Sequence, residues 1–333
     1  MHSKRTEQDG AWSFDAMNIQ NHIFGPVPSR RLGFSLGLDI VPYKTCSFDC
    51  VYCQLGQTTN KTIQRREYVS KQLIIRELKS YLAREHDEID YITFSGSGEP
   101  TLNSKIGEMI QEVKRMTDIP VAVLTNGSLL FKKEVRDELR NADLILPSLN
   151  AVTQDTFERV NRPHHGLNIQ DIIDGLKKFR KNFDNEIWLE VMLVKGINDN
   201  MGEIEQMAGI SNEINPDKIQ LNTVVRPPCE SFAMPVDANQ MRKICQMFGQ
   251  KAEIIAPCAR KAMKAYEKDV ANKILTLLKR RPCTIDGISN VLGIHRNEVV
   301  KYLEVLEEDR RVARRIHKNQ TYFVVNKDEM RSM

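Results

Sequence analysis

The sequence predicts an α/β protein, an open partial (β/α)6 barrel followed by a small C-terminal winged-helix domain. Three observations point there. Six short apolar runs alternate with amphipathic stretches between residues 35 and 226, the pattern of a parallel sheet with helical crossovers. Six strand–helix units are too few to close an eight-stranded barrel, so the sheet is expected to stay open. From residue 268 the pattern changes to three helical stretches and a basic hairpin.

In chain order, residues 1–20 are polar and read as a flexible N-terminal segment. The barrel domain is set at 21–260, and a linker helix with the winged helix at 261–333. The expected strands are "SLGLDIV" (35–41), "IDYITFSG" (89–96), "VAVLTNG" (121–127), "DLILPSLN" (143–150), "EIWLEVMLVKG" (186–196) and "KIQLNTVVR" (218–226). Helices are expected at 70–84, 104–116, 132–140, 168–182 and 202–213. A further helix (237–248) and a short strand "EIIA" (253–256) follow. Farther on, "VANKILTLLKRR" is an amphipathic helix. "TIDGISNVLGI" and "RNEVVKYLEVLEE" form a helix–turn–helix pattern with Gly293 in the turn. "RRVARRIHKNQTYFVV" reads as a β-hairpin with Asn319 at its tip.

The 333 residues are 41% hydrophobic and 28% charged, an ordinary globular balance. No apolar run approaches the roughly 18 residues of a membrane span. The first residues show no secretory pattern, so a cytoplasmic protein is expected. Seven cysteines in a reducing compartment would serve metals or chemistry. The net charge of +4 is unevenly placed. Residues 268–327 hold 13 Lys and Arg against 7 Asp and Glu, net +6, which leaves net −2 for the rest. Arg310, Arg311, Arg314, Arg315 and Lys318 carry most of the surplus.

"KTCSFDCVYCQLG" places Cys46, Cys50 and Cys53 within eight residues, spaced C-x3-C-x2-C. An odd set of close thiols cannot pair off into disulfides. A structural zinc site wants four ligands, so zinc would need a distant fourth. Three thiolates suit a [4Fe–4S] cluster, which they would hold by three corners, leaving one iron open.

A C-x3-C-x-aromatic-C motif after the first strand resembles the radical S-adenosylmethionine (SAM) superfamily. In that family the open iron chelates the amino and carboxylate groups of SAM. An electron from the cluster then releases methionine and a 5′-deoxyadenosyl radical, which takes a hydrogen atom from substrate. "SGSGEP" resembles the family's GGE motif, so backbone around Ser97, Gly98 and Glu99 is expected at the SAM amino group. By the same resemblance Asn126, Ser148, Asn150 and Glu190 are candidate SAM contacts, and Tyr52 is expected beside the adenine. "GPVPSRRLGFSLGLDIVPYKTCSFDCVYCQLG", "NRPHHGLNIQDIIDGL", "VKGIND" and "LNTVVRPPCESFA" resemble the branch of wyosine-base synthetases, which modify a guanosine of transfer RNA. The resemblance covers about residues 22–256. Unlike those enzymes, residues 1–45 carry no cysteine for a second cluster. No flavin-binding segment is apparent, so an external electron donor of flavodoxin or ferredoxin type is implied.

Other residues keep two readings. Cys229 is a candidate hydrogen donor, or with Cys258 an auxiliary cluster ligand, or an ordinary thiol. Arg226 ends a strand and is a candidate substrate or SAM contact. Arg30 and Arg31 form either an anion fork or a solvated turn. Lys195 is a Schiff-base lysine for a keto acid or a surface lysine, His164 and His165 are metal ligands or loop and capping residues, and Cys245 and Cys283 read as structural thiols. The partner of the winged helix is RNA, transfer RNA first, or a peptide or protein, and a pure packing or dimerisation role is the third reading. Residues 296–309 are net −3, so only His295, Arg296 and Asn297 at the helix start and the basic hairpin look receptive to nucleic acid. The alternative of another class is a cluster-sensing regulator.

Overall fold

The computed structural model describes residues 22–84, 88–225, 228–255, 268–317 and 320–326. The candidates Arg226 and Cys258, the segment 1–20, and Lys318 and Asn319 lie outside the described residues.

The first element of the described residues is a strand that the sequence did not advertise. β1 (Ile23–Ser29) runs antiparallel to β2 (Gly33–Leu38). It contains Pro26 and Pro28, which cannot donate to a ladder, and it lies at the sheet edge where that loss is tolerated. Two minimal strands, β3 (Thr45–Cys46) and β4 (Asn60–Lys61), pair in parallel and tie together the two ends of the cysteine loop. Then follow α1 (Lys71–Leu82), β5 (Tyr91–Phe94), α2 (Ile106–Met116), β6 (Val121–Thr125), α3 (Lys133–Leu139) and β7 (Leu144–Pro147). After these come α4 (Gln154–Asn161), α5 (Ile169–Arg180), β8 (Glu186–Leu193), α6 (Met201–Ile214), β9 (Lys218–Thr223), α7 (Ala238–Phe248) and β10 (Ala252–Ile254).

The main sheet is ordered β1-β2-β5-β6-β7-β8-β9-β10 and is parallel from β2 onward. Each crossover lands beside the strand before it. All six expected parallel strands are present, and the order is linear with free edges. Side chains alternate between two faces. Val121, Val123, Ile145, Ile187 and Leu189 join the helices in the large core. On the other face Ala122, Leu144, Leu146 and Trp188 gather around Leu32, from the turn between β1 and β2. From the same turn Arg31 reaches Glu190 on β8 (3.2 Å) and Arg30 reaches Asn222 on β9 (3.3 Å). β8 and β9 are not neighbours of β2, so these contacts require a curled sheet.

The later barrel helices start on side-chain caps: Thr153 for α4, Asn168 for α5, Asn200 for α6 and Asp237 for α7. Helix α4 was not expected. It has only eight residues, and buried Glu203 of α6 holds its start. The Glu203 carboxylate accepts from the N–H groups of Val152 (2.6 Å) and Thr153 (3.2 Å) and from the hydroxyls of Thr153 (2.8 Å) and Thr156 (3.1 Å).

The C-terminal part forms α8 (Lys268–Arg280), α9 (Ile285–Leu292), α10 (Arg296–Glu308), β11 (Val312–His317) and β12 (Gln320–Val325). It has its own core of Ile274, Leu278, Ile288, Val299, Leu303, Leu306 and Phe323, with Cys283 buried among them. Gly293 ends α9 at φ +67°, a left-handed turn that glycine takes without strain. Cys283 exchanges both backbone hydrogen bonds with Phe323 (3.2 and 2.8 Å) and so covers the outer edge of β12. No helix among the described residues is long and apolar enough to cross a membrane.

Candidate active site

The C-terminal ends of the parallel strands converge on the cysteine loop. Cys46 lies in β3, and Cys50 and Cys53 follow on the turn beyond it, with Cys53 N–H donating to the Cys50 carbonyl (3.1 Å). Each sulfur meets a polar donor. Lys44 Nζ lies 3.1 Å from Cys53 Sγ, Asn161 Nδ2 lies 3.2 Å from Cys50 Sγ, and Asn126 Nδ2 lies 3.6 Å from Cys46 Sγ. Such donors favour the thiolate. Burial opposes it: it is the largest influence on both Cys46 and Cys50, raising the Cys46 thiol far above its ordinary range and pushing Cys50 up to about 11. Among the described residues no group of three His, Cys, Asp or Glu side chains converges as ligands of a single ion. The donor set is three thiols on one loop with nitrogen donors around them, which fits a cluster bound by several corners.

The "SGSGEP" segment packs under this loop. Asp39 accepts from the Ser97 N–H (3.0 Å) and from the Ser97 hydroxyl. Lys44 N–H donates to the Ser97 carbonyl (2.8 Å), and Glu99 N–H donates to the Thr45 carbonyl (3.1 Å). Gly98 lies so close to the strand before Cys46 that a Cβ there would stand 1.9 Å from Thr45 O. Its own N–H and C=O make no hydrogen bond among the described residues. The Glu99 carboxylate is fully engaged inside the protein. It accepts from Thr101 N–H (3.0 Å), the hydroxyls of Thr101 and Thr125 (both 2.6 Å) and Asn126 N–H (2.7 Å). Burial raises its pKa and these four donors partly offset the rise.

The remaining candidates divide into two groups. Asn126, Ser148 and Asn150 line one small cavity with Asn161. Asn126 Nδ2 also donates to Ser47 Oγ (2.8 Å). Asn150 joins two elements: its Oδ1 accepts from Met192 N–H (2.8 Å) and its Nδ2 donates to Tyr52 Oη (2.7 Å). Asn161 Nδ2 reaches the same phenol at 3.3 Å. Glu190 pairs by its main chain with the Ser148–Leu149 segment (Leu149 N–H to Glu190 O, 2.9 Å), while its carboxylate lies inside the curled sheet. Burial raises its pKa, but Arg31 and the Asn222 amide (3.0 Å) outweigh burial and hold it low. The adjacent arginines are therefore neither a free anion fork nor a solvated turn, because Arg31 pairs with a buried carboxylate.

Cys229 follows β9. Glu230 N–H donates to the Val51 carbonyl (3.0 Å), and Glu230 pairs with Arg162 (2.6 Å), so this segment is fastened to the cysteine loop. Burial first, then Asp49 and Glu230, push the Cys229 thiol up to about 11. His164 and His165 stack on one another, 4.1 Å between centroids, and His164 Nδ1 accepts from Gly166 N–H. Lys195 is exposed.

Sequence reasoning did not single out Lys44, Asp39, Ser47 or Asn161. Asn161 lay in a quoted segment, "NRPHHG", and its position at the end of α4 brings it to Cys50. Sequence reasoning named a packing role for the C-terminal part only as a third reading and did not specify how α10 docks. His295 Nδ1 accepts from Asn297 N–H (3.2 Å), which leaves the proton on Nε2, 3.0 Å from Asp39 Oδ2. The His295 ring stacks on Phe24 of β1 at 4.5 Å. The Arg296 guanidinium lies 4.2 Å from the Tyr43 ring centre and pairs with Asp286. The helix start expected to meet nucleic acid is thus turned onto the barrel beside Ser97.

Residues 40–208 match the family model described as Radical SAM superfamily. A protein named "GTPase Obg" from Brachyspira hyodysenteriae is 40% identical over 307 residues. That stretch covers 91% of this chain and 45% of the relative, so the chain spans less than half of that protein's length. A UPF0026 protein of Methanocaldococcus jannaschii is 37% identical over 278 residues, covering 81% of this chain and 85% of the relative. Among solved structures, Streptococcus suis SuiB bound to S-adenosylmethionine superposes with a TM-score of 0.51 at 14% identity, over 70% of this chain and 52% of that one. This last likeness is one of fold.

Proposed function

The chain belongs to the radical SAM superfamily, and from that membership we propose that it holds its cluster by Cys46, Cys50 and Cys53 and modifies a base of an RNA, transfer RNA first. Members of the superfamily bind a [4Fe–4S] cluster and SAM, and this chain is a radical SAM enzyme that requires an electron donor. The regulator alternative gives way to that assignment. When bound, the cluster supplies the electron that splits SAM into methionine and a 5′-deoxyadenosyl radical able to take hydrogen from substrate.

One observation carries the cluster assignment: three thiols share one loop and each sulfur meets its own donor. The chain's residues have distinct tasks in this reading. The Gly98 carbonyl, which accepts no hydrogen bond among the described residues, is offered to the SAM amino group. Asn126, Ser148 and Asn150 offer polar atoms along one wall. The Glu99 carboxylate acts through the backbone, because its oxygens are occupied in joining the "GEP" turn to β6. Glu190 likewise is held by Arg31 and Asn222, which assigns it a role in fixing the interior rather than direct contact. The donor is of flavodoxin or ferredoxin type. Replacing Cys50 with alanine tests the assignment. Iron content and reductive SAM cleavage should both be lost, and a variant that keeps both refutes it.

Support for the RNA substrate comes from the resemblance to wyosine-base synthetases and the net +6 of residues 268–327, the part we read as a winged helix. Of its hairpin arginines, Arg314 already pairs with Glu307 (2.5 Å) while Arg315 is exposed. Binding of total tRNA should weaken with salt, and Arg315→Ala should flatten the log–log slope by about one unit. Arg314→Ala should change it less.

The docked start of α10 and the open edge of β11 favour a second reading, a peptide substrate added as a strand along β11. Unchanged slopes, or no tRNA binding at low salt, would move the assignment there.

A further inference from the structure

Lys44 is a charged residue in an apolar place. It is 3% exposed, and a lysine is almost never buried without an anionic partner. Among the described residues no Asp or Glu forms an ion pair with it. The groups facing its charge are Cys53, at 3.1 Å, then Cys46 and Cys50.

The backbone holds it there deliberately. Lys44 lies at φ +57°, the left-handed region that a residue with a side chain rarely enters. Both of its peptide groups are clamped: the N–H donates to Ser97 O (2.8 Å) and the C=O accepts from Asn60 N–H (3.1 Å). Strain of this kind persists where the surroundings over-determine it, and it collects at functional sites. Here the clamp aims the side chain back at the third cysteine of the motif rather than out along the loop.

We propose that Lys44 is a positioning residue for the reduction step, its ammonium raising the reduction potential of the cluster from the Cys53 corner. The proposal rests on the reading that the three motif cysteines hold that cluster. One electron enters from the external donor, so the bound group gains one negative charge. No bond to Lys44 forms or breaks, and its proton stays on Nζ. A fixed cation beside a ligand sulfur stabilises the more negative, reduced form over the oxidised one, since hydrogen bonds to sulfur and local charge are what a protein uses to set such potentials. The step that a weak biological reductant finds hardest is thereby brought within its reach.

The test uses the full-length protein, reconstituted anaerobically, as wild type, Lys44→Met, Lys44→Arg and Cys50→Ala. Each is titrated with dithionite and mediators without SAM, and the reduced signal is followed by electron paramagnetic resonance. Methionine keeps the length of the stem and removes the charge; arginine keeps the charge. The expected result is a reduction equilibrium at least tenfold less favourable in Lys44→Met, which is 59 mV for one electron, and a smaller shift in Lys44→Arg. Equal potentials in wild type and Lys44→Met overturn the proposal. If Lys44→Met folds but takes up no iron, the arginine variant decides. Loading in Lys44→Arg supports a need for the charge, and an equally empty Lys44→Arg overturns it in favour of a packing role. A Cys50→Ala protein that still carries a wild-type cluster would instead overturn the cysteine assignment, so the two failures are told apart.

Discussion

Gly98→Ala should damage the cysteine loop without touching a cysteine. The added Cβ would stand 1.9 Å from the Thr45 carbonyl oxygen and 2.8 Å from its carbonyl carbon. A carbon and a carbonyl oxygen rest at about 3.3 Å or more, so two backbone segments must part by more than about 1 Å. Neither can yield by swinging a side chain. Thr45 is half of β3, its carbonyl accepts the Glu99 N–H at 3.1 Å, and the next residue is Cys46. Overpacking of this kind costs about 1–3 kcal/mol, and the strained Glu99 bond adds about 1 kcal/mol. For a domain of this size the sum corresponds to a fall of about 4–16 °C in melting temperature. Circular dichroism melts of the iron-free protein measure that fall, and iron and sulfide content after anaerobic reconstitution measures damage to the loop. Gly209→Ala is the matched control. Gly209 is exposed within α6 with open space around its Cβ position, so alanine should stabilise by up to about 1 kcal/mol and leave iron unchanged. A Gly98→Ala protein that melts and loads like wild type would refute the reasoning.

Glu203→Ala strands the N–H groups of Val152 and Thr153 at the start of α4 and leaves the Thr153 and Thr156 hydroxyls to bond each other. At about 1–3 kcal/mol per buried unsatisfied group, partly relieved by entering water, a loss of at least about 2 kcal/mol in urea unfolding is expected. Cluster content should fall with it, because α4 delivers Asn161 to Cys50; unchanged stability would count against the capping role. With its thiol pushed up to about 11, Cys229 is almost wholly protonated at pH 8. Its alkylation by iodoacetamide should rise about tenfold per unit from pH 8 to 10, and a flat profile by peptide mapping would contradict the shift.

The parallel strands and most helices were legible because their apolar periodicity is dictated by one buried face, and their observed ends fall close to the expected ones. β1 was not, since Gly25, Pro26 and Pro28 break any strand pattern and its place is secured only by pairing with β2. α4 was hidden for a similar reason: eight residues carry little periodic signal, and the carboxylate that holds its start comes from a helix about fifty residues on. At the site, the spacing of the three cysteines, together with the "SGSGEP" segment and the strand order, marked them as candidates in the sequence. The surroundings carried no such mark. Nothing in "PYKTC" distinguishes Lys44 from a surface lysine until the backbone turns left-handed. Glu99 and Glu190 look like ligands in the sequence because carboxylates at strand ends often are. Only the fold reveals that Thr101, Thr125, Asn126, Arg31 and Asn222 already occupy their oxygens.

His295 makes the C-terminal part and the catalytic part share a residue. Its ring lies on Phe24 and its Nε2 on Asp39, the carboxylate that also holds Ser97. A macromolecule that needs the start of α10 for itself must first draw His295 away from Asp39. The free energy of that exchange then appears twice. It weakens the macromolecule's grip by some factor, and it loosens the Ser97 segment by the same factor, because coupling between two binding events is reciprocal. A ligand whose binding depends on the Ser97 segment would by the same reciprocity change the hold on His295. The two ends of the chain are in this sense one balance with two pans, and a load placed on either can be weighed at the other.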